Sequence, residues 1–271
     1  MPSERPTIGV FDSGFGGLTV LKALLELVPD ADYLYFGDTA RLPYGSKSVE
    51  TVAKYAVEAA HYLEEQGAGM LIIACNTATA LARDTIRKAV SVPVLGVVEP
   101  GAEAASLSSR TRKVAVLATD ATVGSHAYQK ALQNRGIEAR EKACPLLVPL
   151  VEEGWLSHPV TEQVVRIYLN EVFADGFETA DVLLLGCTHY PLLEPIFARA
   201  VPPSVAIVDS AESTAQMVAQ QLGVAFPPPA HNVDTDSIQF FATDSVKKFQ
   251  RLGERFLGRP IEEVTHVDLR E

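Results

Sequence analysis

Residues 181–193 read Asp-Val-Leu-Leu-Leu-Gly-Cys-Thr-His-Tyr-Pro-Leu-Leu. The short apolar run that closes at Gly186 predicts a buried strand of the kind found in parallel sheets. Pro191 suits the first turn of a helix. Residues 187–189 (Cys-Thr-His) are therefore expected where a strand ends and a helix begins. In open parallel α/β sheets, ligands bind just beyond the carboxyl ends of the strands, so this stretch predicts a ligand site.

An earlier stretch repeats this arrangement. Residues 70–80 read Met-Leu-Ile-Ile-Ala-Cys-Asn-Thr-Ala-Thr-Ala, so Cys75 also follows an apolar strand and precedes a helix. The two cysteines lie 112 residues apart (187 − 75 = 112), and residues 94–97 (Val-Leu-Gly-Val) correspond to residues 206–209 (Ala-Ile-Val-Asp) at the same offset. The chain is therefore predicted to contain two similar halves, each with one thiol at a strand end.

The remaining sequence alternates between strand and helix patterns, which predicts an α/β fold with parallel sheets. Besides the strands that precede the two cysteines, strands are predicted at 7–12, 32–36, 93–98, 113–118, 138–142, 205–209 and 238–242. Helices are predicted after Cys75 and at 18–28, 122–135, 159–174, 190–200, 211–222 and 244–256, and one more is predicted from a cap at either Ser46 or Ser48 to Gln66. The long segments 37–45 and 144–155 are expected to be loops, and Pro227-Pro228-Pro229 is expected to be a stiff connector.

Composition and charge narrow the classes of function. The chain has 271 residues, and a hydrophobic content of 47% is ordinary for a globular protein with a core. A formal charge of −11 argues against a general nucleic-acid or anionic-membrane binder. No apolar run approaches the ~18 residues of a membrane helix, and the N-terminal residues do not resemble a signal peptide. The three cysteines form neither a disulfide framework nor a Cys-x-x-Cys zinc motif, which predicts a cytoplasmic protein without a structural metal.

The glycine-rich turn Ser13-Gly14-Phe15-Gly16-Gly17 follows the first predicted strand. It does not match a nucleotide-binding motif, because Thr19 stands where a dinucleotide fingerprint has its third glycine and no Gly-Lys-Ser/Thr loop is present. The turn could still offer backbone N–H groups to an anion, although a tight turn alone is the simpler interpretation of its glycines. Asp12 and Ser13 are interpreted either as helix-capping residues or as site residues.

The cysteines have two interpretations. A single cysteine at the end of an apolar strand is usually a small buried hydrophobic residue, and Cys144 is assigned that role. Cys75 and Cys187 differ because they occupy matching positions before predicted helix starts, where a thiolate is stabilised. The pair could be a redox couple, a metal site or two proton carriers. His189, next to Cys187, is expected to have a functional role because its pKa range suits proton transfer.

Four motifs together carry a resemblance to a known family. They are Asp12-Ser13-Gly14-x-Gly16-Gly17-Leu18-Thr19, Tyr35-Phe36-Gly37-Asp38 with Arg41-x-Pro43-Tyr44-Gly45, Ala74-Cys75-Asn76-Thr77-Ala78, and Gly186-Cys187-Thr188-His189-Tyr190-Pro191. In this order and over nearly the whole chain, the sequence resembles bacterial glutamate racemases of the aspartate/glutamate racemase family. Only the tail around residues 241–244 matches loosely.

The resemblance implies a fold and an activity. The fold would consist of two pseudo-symmetric α/β domains, residues 1–98 with 211–271 and residues 99–210, with the active site in the cleft between them. The activity would be a two-base interconversion of L- and D-glutamate that uses no cofactor and no metal and supplies D-glutamate for peptidoglycan. The family also implies a homodimer. The protein is expected to bind the small-molecule substrate glutamate and to bind neither nucleic acid nor a membrane.

The resemblance also implies roles for particular residues. Cys75 would exchange the proton of the D enantiomer with assistance from Asp12. Cys187 would exchange that of the L enantiomer with assistance from Glu152 and His189. The adjacent Glu153 is an alternative to Glu152, and either carboxylate could instead be a solvated loop charge. The implied substrate contacts are Ser13, Pro43, Tyr44, Gly45, Asn76, Thr77, Thr119, Thr122 and Thr188.

Other functions remain open from the sequence. An aspartate racemase or a related isomerase would use a similar thiol pair, although such relatives usually carry an acidic residue in place of His189. A two-lobed amino-acid sensor would need neither thiol. A thiol–disulfide oxidoreductase would usually carry Cys-x-x-Cys, which this chain lacks.

Overall fold

The strands of the fold are all parallel and form two separate sheets. The computed structural model describes residues 5–224 and 237–269. The strands are β1 (Thr7–Asp12), β2 (Asp32–Gly37), β3 (Met70–Ile73), β4 (Val94–Gly96), β5 (Lys113–Ala118), β6 (Glu138–Ala143), β7 (Val182–Gly186), β8 (Ala206–Asp209), β9 (Ile238–Ala242) and β10 (Thr265–His266). The first sheet has the order β10-β9-β2-β1-β3-β4, and the second has the order β6-β5-β7-β8.

The two sheets share one topology. The order β2-β1-β3-β4 in the first sheet corresponds strand for strand to β6-β5-β7-β8 in the second, with β9 and β10 added beyond β2. The neighbours β1 and β3 pair from Ile8 with Met70 onward, as β5 and β7 pair from Val114 with Val182 onward. The predicted α/β class, with two similar halves built on parallel sheets, is confirmed.

Eleven α-helices occur in the described residues. They are α1 (Leu18–Leu27), α2 (Val49–Glu65), α3 (Asn76–Ala89), α4 (Val98–Ser108), α5 (Asp120–Ser125), α6 (Ala127–Gln133), α7 (Leu147–Glu152), α8 (Pro159–Val172), α9 (Glu194–Ala200), α10 (Ser210–Gln221) and α11 (Val246–Leu257). Several begin at side-chain caps that satisfy backbone N–H groups of the first turn. Ser48 caps α2, Thr119 caps α5, and Asp209 caps α10.

The structure differs from the sequence prediction at several helices. The helix predicted over 122–135 is divided into α5 and α6 at His126, which has a left-handed φ of 57°. Helices α4 and α7 form where none was predicted. The helix expected from residue 190 starts as a 3₁₀ turn, Tyr190–Leu193, before α9. The proposed connector Pro227-Pro228-Pro229 lies outside the described residues.

A shared hydrophobic core lies between the sheets. Strand side chains alternate between two faces. Val10 and Ile72 of the first sheet therefore point into the same core cluster as Leu117 and Leu183 of the second. The opposite faces pack in separate clusters, beneath α2 and α3 in the first sheet and beneath α4 and α6 in the second. The common core fixes the two sheets relative to each other and so fixes the geometry between their strand ends.

No described helix combines the length and apolarity that a bilayer crossing requires.

Candidate active site

A cavity of about 370 Å³ lies at the carboxyl ends of four strands. Its wall includes Ser13 after β1, Cys75 after β3, Thr119 after β5 and Cys187 after β7. Each sheet thus contributes the ends of two adjacent strands, and one of the two carries a cysteine. Its size and mixed polar and apolar wall are typical of a small-molecule site.

Cys75 is the N-cap residue of α3. Its Sγ accepts a hydrogen bond from the N–H of Ala78 at 3.4 Å and donates to Oγ of Ser13 at 3.6 Å. The side chain is only 6% exposed. Burial, with a further contribution from the negative charge of Asp12, raises the pKa of Cys75 to about 11. The N-terminus of α3 therefore does not create a resting thiolate, contrary to the sequence expectation, because desolvation outweighs the helix-end contacts.

Cys187, which follows a strand of the second sheet, is also a buried thiol with a raised pKa. It is also 6% exposed, and its pKa is raised chiefly by burial, although the backbone N–H of His189 opposes that shift. The charge of Cys75 contributes to the raised pKa of Cys187, so the two sulfurs interact electrostatically. Both cysteines are free of disulfides and rest as neutral thiols.

This protonation state predicts a specific pH dependence of alkylation. Only the thiolate reacts with iodoacetamide, so the rate at Cys75 should rise about tenfold per pH unit up to a pH near 11. In the denatured chain the same rate should level off near pH ~8.5, the ordinary cysteine pKa. Mass spectrometry of the Cys75 peptide after timed labelling between pH 7.0 and 9.5 would measure both curves. A native curve that flattens below pH 9 would contradict the buried neutral thiol.

Asp12 lies beneath the cavity wall rather than in it. Its carboxylate is buried; Oδ2 accepts a hydrogen bond from the N–H of Gly14 at 2.8 Å, whereas Oδ1 has no partner. Burial raises the pKa of Asp12, and the nearby charge of His189 opposes this shift. Its charge acts in turn on both thiols. Asp12 is therefore close enough to influence either cysteine.

Glu152 is the carboxylate that meets His189. Its Oε1 lies 3.4 Å from Nε2 of His189, and its Oε2 lies 3.6 Å from Nζ of Lys248. Burial opposes ionisation, but His189 and then Lys248 outweigh it and hold the pKa of Glu152 below its ordinary value. Glu153 also lines the cavity, but no contact to His189 is described for it. The geometry therefore favours Glu152 over Glu153 as the partner of His189.

Three threonine hydroxyls form a triangle at the wall, two of them on it and one behind it. Oγ1 of Thr77 lies 2.9 Å from that of Thr119 and 3.2 Å from that of Thr122, and the last two are 3.0 Å apart. Thr122 is completely buried and lies behind the cavity wall, where it orients the other two. Next to them, Asn76 accepts a 2.5 Å hydrogen bond from the hydroxyl of Tyr128, while its Nδ2 is buried without a partner. These groups form a polar surface that can bind a carboxylate.

The segment Pro43-Tyr44-Gly45 forms another part of the wall. Tyr44 is buried and its hydroxyl donates to Asp38, a buried carboxylate that also accepts hydrogen bonds from Arg41 and Thr243. Because its hydroxyl is engaged, Tyr44 offers the cavity its ring and backbone. Gly45 brings the chain close to Thr119, since a Cβ there would lie 3.1 Å from Cβ of Thr119.

The structure brings together most of the residues that the resemblance indicated. The cavity wall contains Ser13, Pro43, Tyr44, Gly45, Cys75, Asn76, Thr77, Thr119, Glu152, Cys187, Thr188 and His189. Asp12 and Thr122 lie one layer behind it. Cys144 also lines the cavity, yet it is fully buried and its Sγ donates to the carbonyl of Lys142, as expected for a structural cysteine.

Sequence reasoning missed several wall residues. They are Leu42, Ser46, Asp120, Pro145, Val148, Pro149 and Lys248. Val148 could have been found had α7 been predicted, because it lies one helical turn before Glu152. Lys248 lies on α11, and no local pattern connects that helix with the strand ends.

The arrangement suits proton transfer to and from a small anionic molecule. Two neutral thiols, a His–Glu pair and a buried carboxylate supply acid–base groups, and hydroxyl and amide groups can orient a ligand. Within residues 5–224 and 237–269, no cluster of three or more His, Cys, Asp or Glu side chains is placed to hold a metal ion.

Comparisons with known proteins place this geometry in a family. The model of the Asp/Glu/Hydantoin racemase family matches residues 8–218. The glutamate racemase of Koribacter versatilis is 57% identical, with 99% of each chain covered. The solved glutamate racemase of Thermus thermophilus, in complex with beta-chloro-D-alanine, is 44% identical with a TM-score of 0.84 and covers 98% of each chain. That of Francisella tularensis, in complex with D-glutamate, is 36% identical with a TM-score of 0.86 and the same coverage. The resemblance found in the sequence is thus confirmed, and the chain belongs to the Asp/Glu/hydantoin racemase family.

Proposed function

We propose that this protein is a glutamate racemase that interconverts L- and D-glutamate by two-base chemistry at Cys75 and Cys187, without a cofactor. The observation that carries the proposal is the position of the two thiols, which follow equivalent strands of the two sheets and line one cavity. The relatives named glutamate racemase, one of them solved with D-glutamate, support the choice of substrate.

Inversion at Cα explains why two groups are needed. The proton must leave one face of the carbon and another must arrive at the opposite face. A single side chain does not easily reach both faces, whereas groups from two sheets can flank a ligand held between them. A cysteine suits either role, since the thiolate is a usable base and the thiol a usable acid near its pKa.

The raised pKa values require activation of the base by the bound substrate. In the resting cavity, burial keeps both sulfurs protonated. A substrate α-ammonium group would bring a positive charge beside the sulfurs and stabilise one of them as a thiolate, whose proton passes to a neighbouring base, Asp12 for Cys75 or the His189–Glu152 pair for Cys187. This thiolate then takes the Cα proton. The thiol on the other side then delivers its proton, and the two groups exchange protonation states in each turnover.

The neighbouring charged groups assist each thiol. Asp12 lies close enough to act on the charge of Cys75, and we assign it to that side. The His189–Glu152 pair adjoins Cys187, and the backbone N–H of His189 also contributes there. A proton relay of this kind can contribute a factor of about 10²–10⁴ to the rate.

Orientation and charge stabilisation come from the polar wall. The hydroxyls of Ser13, Thr77 and Thr119 and the free Nδ2 of Asn76 are suited to bind the carboxylates of glutamate. Thr188 and the Pro43-Tyr44-Gly45 segment complete the enclosure, and Thr122 supports the hydroxyls from behind. Hydrogen bonds to the α-carboxylate stabilise the developing carbanion, and exclusion of water strengthens them.

The wider organisation follows from the same assignment. We infer a first domain of residues 1–98 with 211–271 and a second domain of residues 99–210, supported by the pairing of β9 with β2 in the first sheet. The protein would act as a cytoplasmic homodimer and supply D-glutamate for peptidoglycan, and thereby for cell-wall biogenesis and cell shape. Closure of the domains over the substrate would align the thiols.

Solvent isotope exchange tests the proposal directly. The purified protein is incubated in D₂O with L-glutamate or, separately, L-aspartate, with no added pyridoxal phosphate. Loss of the Cα–H NMR signal together with formation of D-glutamate is the expected result, because each inversion delivers a solvent-derived deuteron. Exchange of aspartate alone would instead indicate an aspartate racemase. Absence of exchange in both amino acids would indicate a binding protein and refute the assignment.

A further inference from the structure

Helix α11 directs two cationic side chains at the end of α7. Lys248 places Nζ 3.6 Å from Oε2 of Glu152. In the last turn of α11, Arg255 donates from Nη1 to the carbonyl of Val151 at 3.2 Å and approaches that of Glu152 at 3.5 Å. Since α11 follows a strand of the first sheet and α7 follows a strand of the second, these contacts connect the two halves at the active site.

The carboxylate of Glu152 is held between two partners. One oxygen faces His189 at 3.4 Å, the other faces Lys248, and neither contact has the short length of a strong hydrogen bond. The His189 side chain is 8% exposed and that of Glu152 is 19% exposed, so the pair is largely shielded from water. Loss of either partner would leave this carboxylate free to rotate and to protonate.

Lys248 itself is constrained. Its ammonium group lies 5.5 Å from the ring centre of Phe15, within the range of a cation–π contact, and Phe15 belongs to the glycine-rich turn below the cavity. Among the residues that the structure describes, Lys248 is the one lysine or arginine in the cavity wall.

From this geometry we propose that Lys248 is a positioning residue, which holds the Glu152 carboxylate beside His189 and thereby supports proton transfer on the Cys187 side. The inference rests on the proposed racemase activity. It adds a residue of the C-terminal helix whose role is to act through Glu152 rather than on the substrate.

The charges around Glu152 define the expected pH effect. Its carboxylate interacts with Asp12 from the end of β1, His189 from the loop after β7 and Lys248 from α11, whereas Arg255 of α11 contacts its backbone carbonyl and Glu153 is its neighbour in the chain. Burial raises the pKa of Glu152, and His189 and Lys248 lower it. Removal of Lys248 therefore raises that pKa, so a larger fraction of Glu152 is protonated in mild acid. If ionised Glu152 supports the reaction, the acidic limb of the rate profile moves to higher pH.

Four proteins test this inference: the wild type, Lys248→Met, Lys248→Arg and the control Lys247→Met. Lys247 is the exposed neighbour on the same helix, so its loss removes the same charge without touching Glu152. kcat/KM for glutamate is measured by circular dichroism between pH 5.5 and 8.5. We expect Lys248→Met to lose activity roughly threefold to fivefold at pH 6, less at pH 8, because a half-exposed ion pair has a modest effect. Lys248→Arg should keep most of the wild-type activity, and Lys247→Met should match the wild type.

A second measurement does not depend on turnover. The Glu152 carboxyl carbon, labelled with ¹³C and assigned by comparison with Glu152→Gln, is titrated by NMR in the same proteins. An upward shift of its midpoint in Lys248→Met supports the inference. Identical Glu152 titrations in the wild type and Lys248→Met, or superimposable pH–rate profiles of Lys248→Met and Lys247→Met, would overturn it. A wild type that titrates as expected but does not racemise glutamate would overturn the proposed function instead.

Discussion

Replacement of either Cys75 or Cys187 by serine is expected to reduce glutamate racemisation by at least about a thousandfold, within the range that acid–base groups contribute. Serine keeps the size and the hydrogen-bonding pattern of the side chain, so the fold should survive. A hydroxyl is a far weaker acid than a thiol, so it can neither deliver nor accept the Cα proton at a useful rate near neutral pH. Because both thiols act once in each turnover, the loss of either one stops inversion.

Circular dichroism of glutamate over time measures the loss, and Cys144→Ser is the matched control. Cys144 lines the same cavity, but its Sγ donates to the carbonyl of Lys142, and a serine hydroxyl can do the same. We expect this variant to keep its rate within about a factor of five of the wild type, since no proton-transfer step is assigned to it. Thermal melting curves of all three variants establish that they are folded.

Isotope exchange makes the test directional. With only Cys75 intact, the Cys187→Ser variant should still exchange the Cα proton of D-glutamate with D₂O while it fails to invert the carbon. Cys75→Ser should show the opposite preference for L-glutamate. A single variant that still racemises at a near-native rate would contradict the two-base chemistry, and equal exchange of both enantiomers by one variant would contradict the assignment of faces.

The sequence placed each thiol of the pair at the carboxyl end of a buried strand because that information is local. An apolar run, a glycine or alanine and a polar cluster mark the end of a buried strand. Parallel strand ends meet at one edge of a sheet, so each cysteine could be placed at such an edge from the sequence alone, whereas the packing of the two sheets brings the two edges to one cavity. The equal sequence spacing in the two halves also predicted that both thiols follow equivalent strands. The strand orders of the two sheets confirm this prediction.

Tertiary packing determines what the sequence could not predict. Lys248 reaches the cavity because α11 packs across the end of α7, a contact between segments nearly one hundred residues apart that leaves no periodic pattern (248 − 152 = 96). Helix α7 is short and contains Pro149, so local propensity favours a loop there. The division at His126 depends on one residue with a left-handed φ, which the helical pattern of its neighbours conceals.

The charge state of the thiols also required the structure. A helix N-terminus and adjacent N–H donors favour the thiolate, and from sequence these are the visible influences. The structure adds burial, which dominates and raises the pKa of both Cys75 and Cys187. The proposed enzyme therefore starts from two neutral thiols and depends on the charge of its substrate to generate a base.

The glycine-rich turn provides the second large prediction, because Gly16 leaves room for two site residues. A Cβ at this position would lie 2.1 Å from Oγ1 of Thr188 and 2.6 Å from Nδ1 of His189. Other contacts hold the Thr188 backbone and the His189 ring in place. The carbonyl of Thr188 accepts a hydrogen bond from Thr19 at 3.3 Å, and the His189 ring packs edge-on against Phe256 at 5.0 Å. Gly16 has no positive φ, so its backbone would accept alanine and the conflict is purely steric.

We therefore expect Gly16→Ala to reduce kcat/KM for glutamate about a hundredfold, since a displacement near 1 Å of a catalytic group has effects of this size. Overpacking should also lower the free energy of unfolding by about 1–3 kcal/mol, measurable by urea denaturation. Gly124→Ala is the control, because its Cβ would meet no atom within 4 Å and alanine favours the helix α5 in which it lies. If Gly16→Ala retained wild-type kcat/KM, Thr188 and His189 would have to tolerate displacement, and their assignment to the reacting centre would be wrong. A loss of stability without a loss of activity would lead to the same conclusion, because the three atoms nearest to the added methyl group all belong to those two side chains.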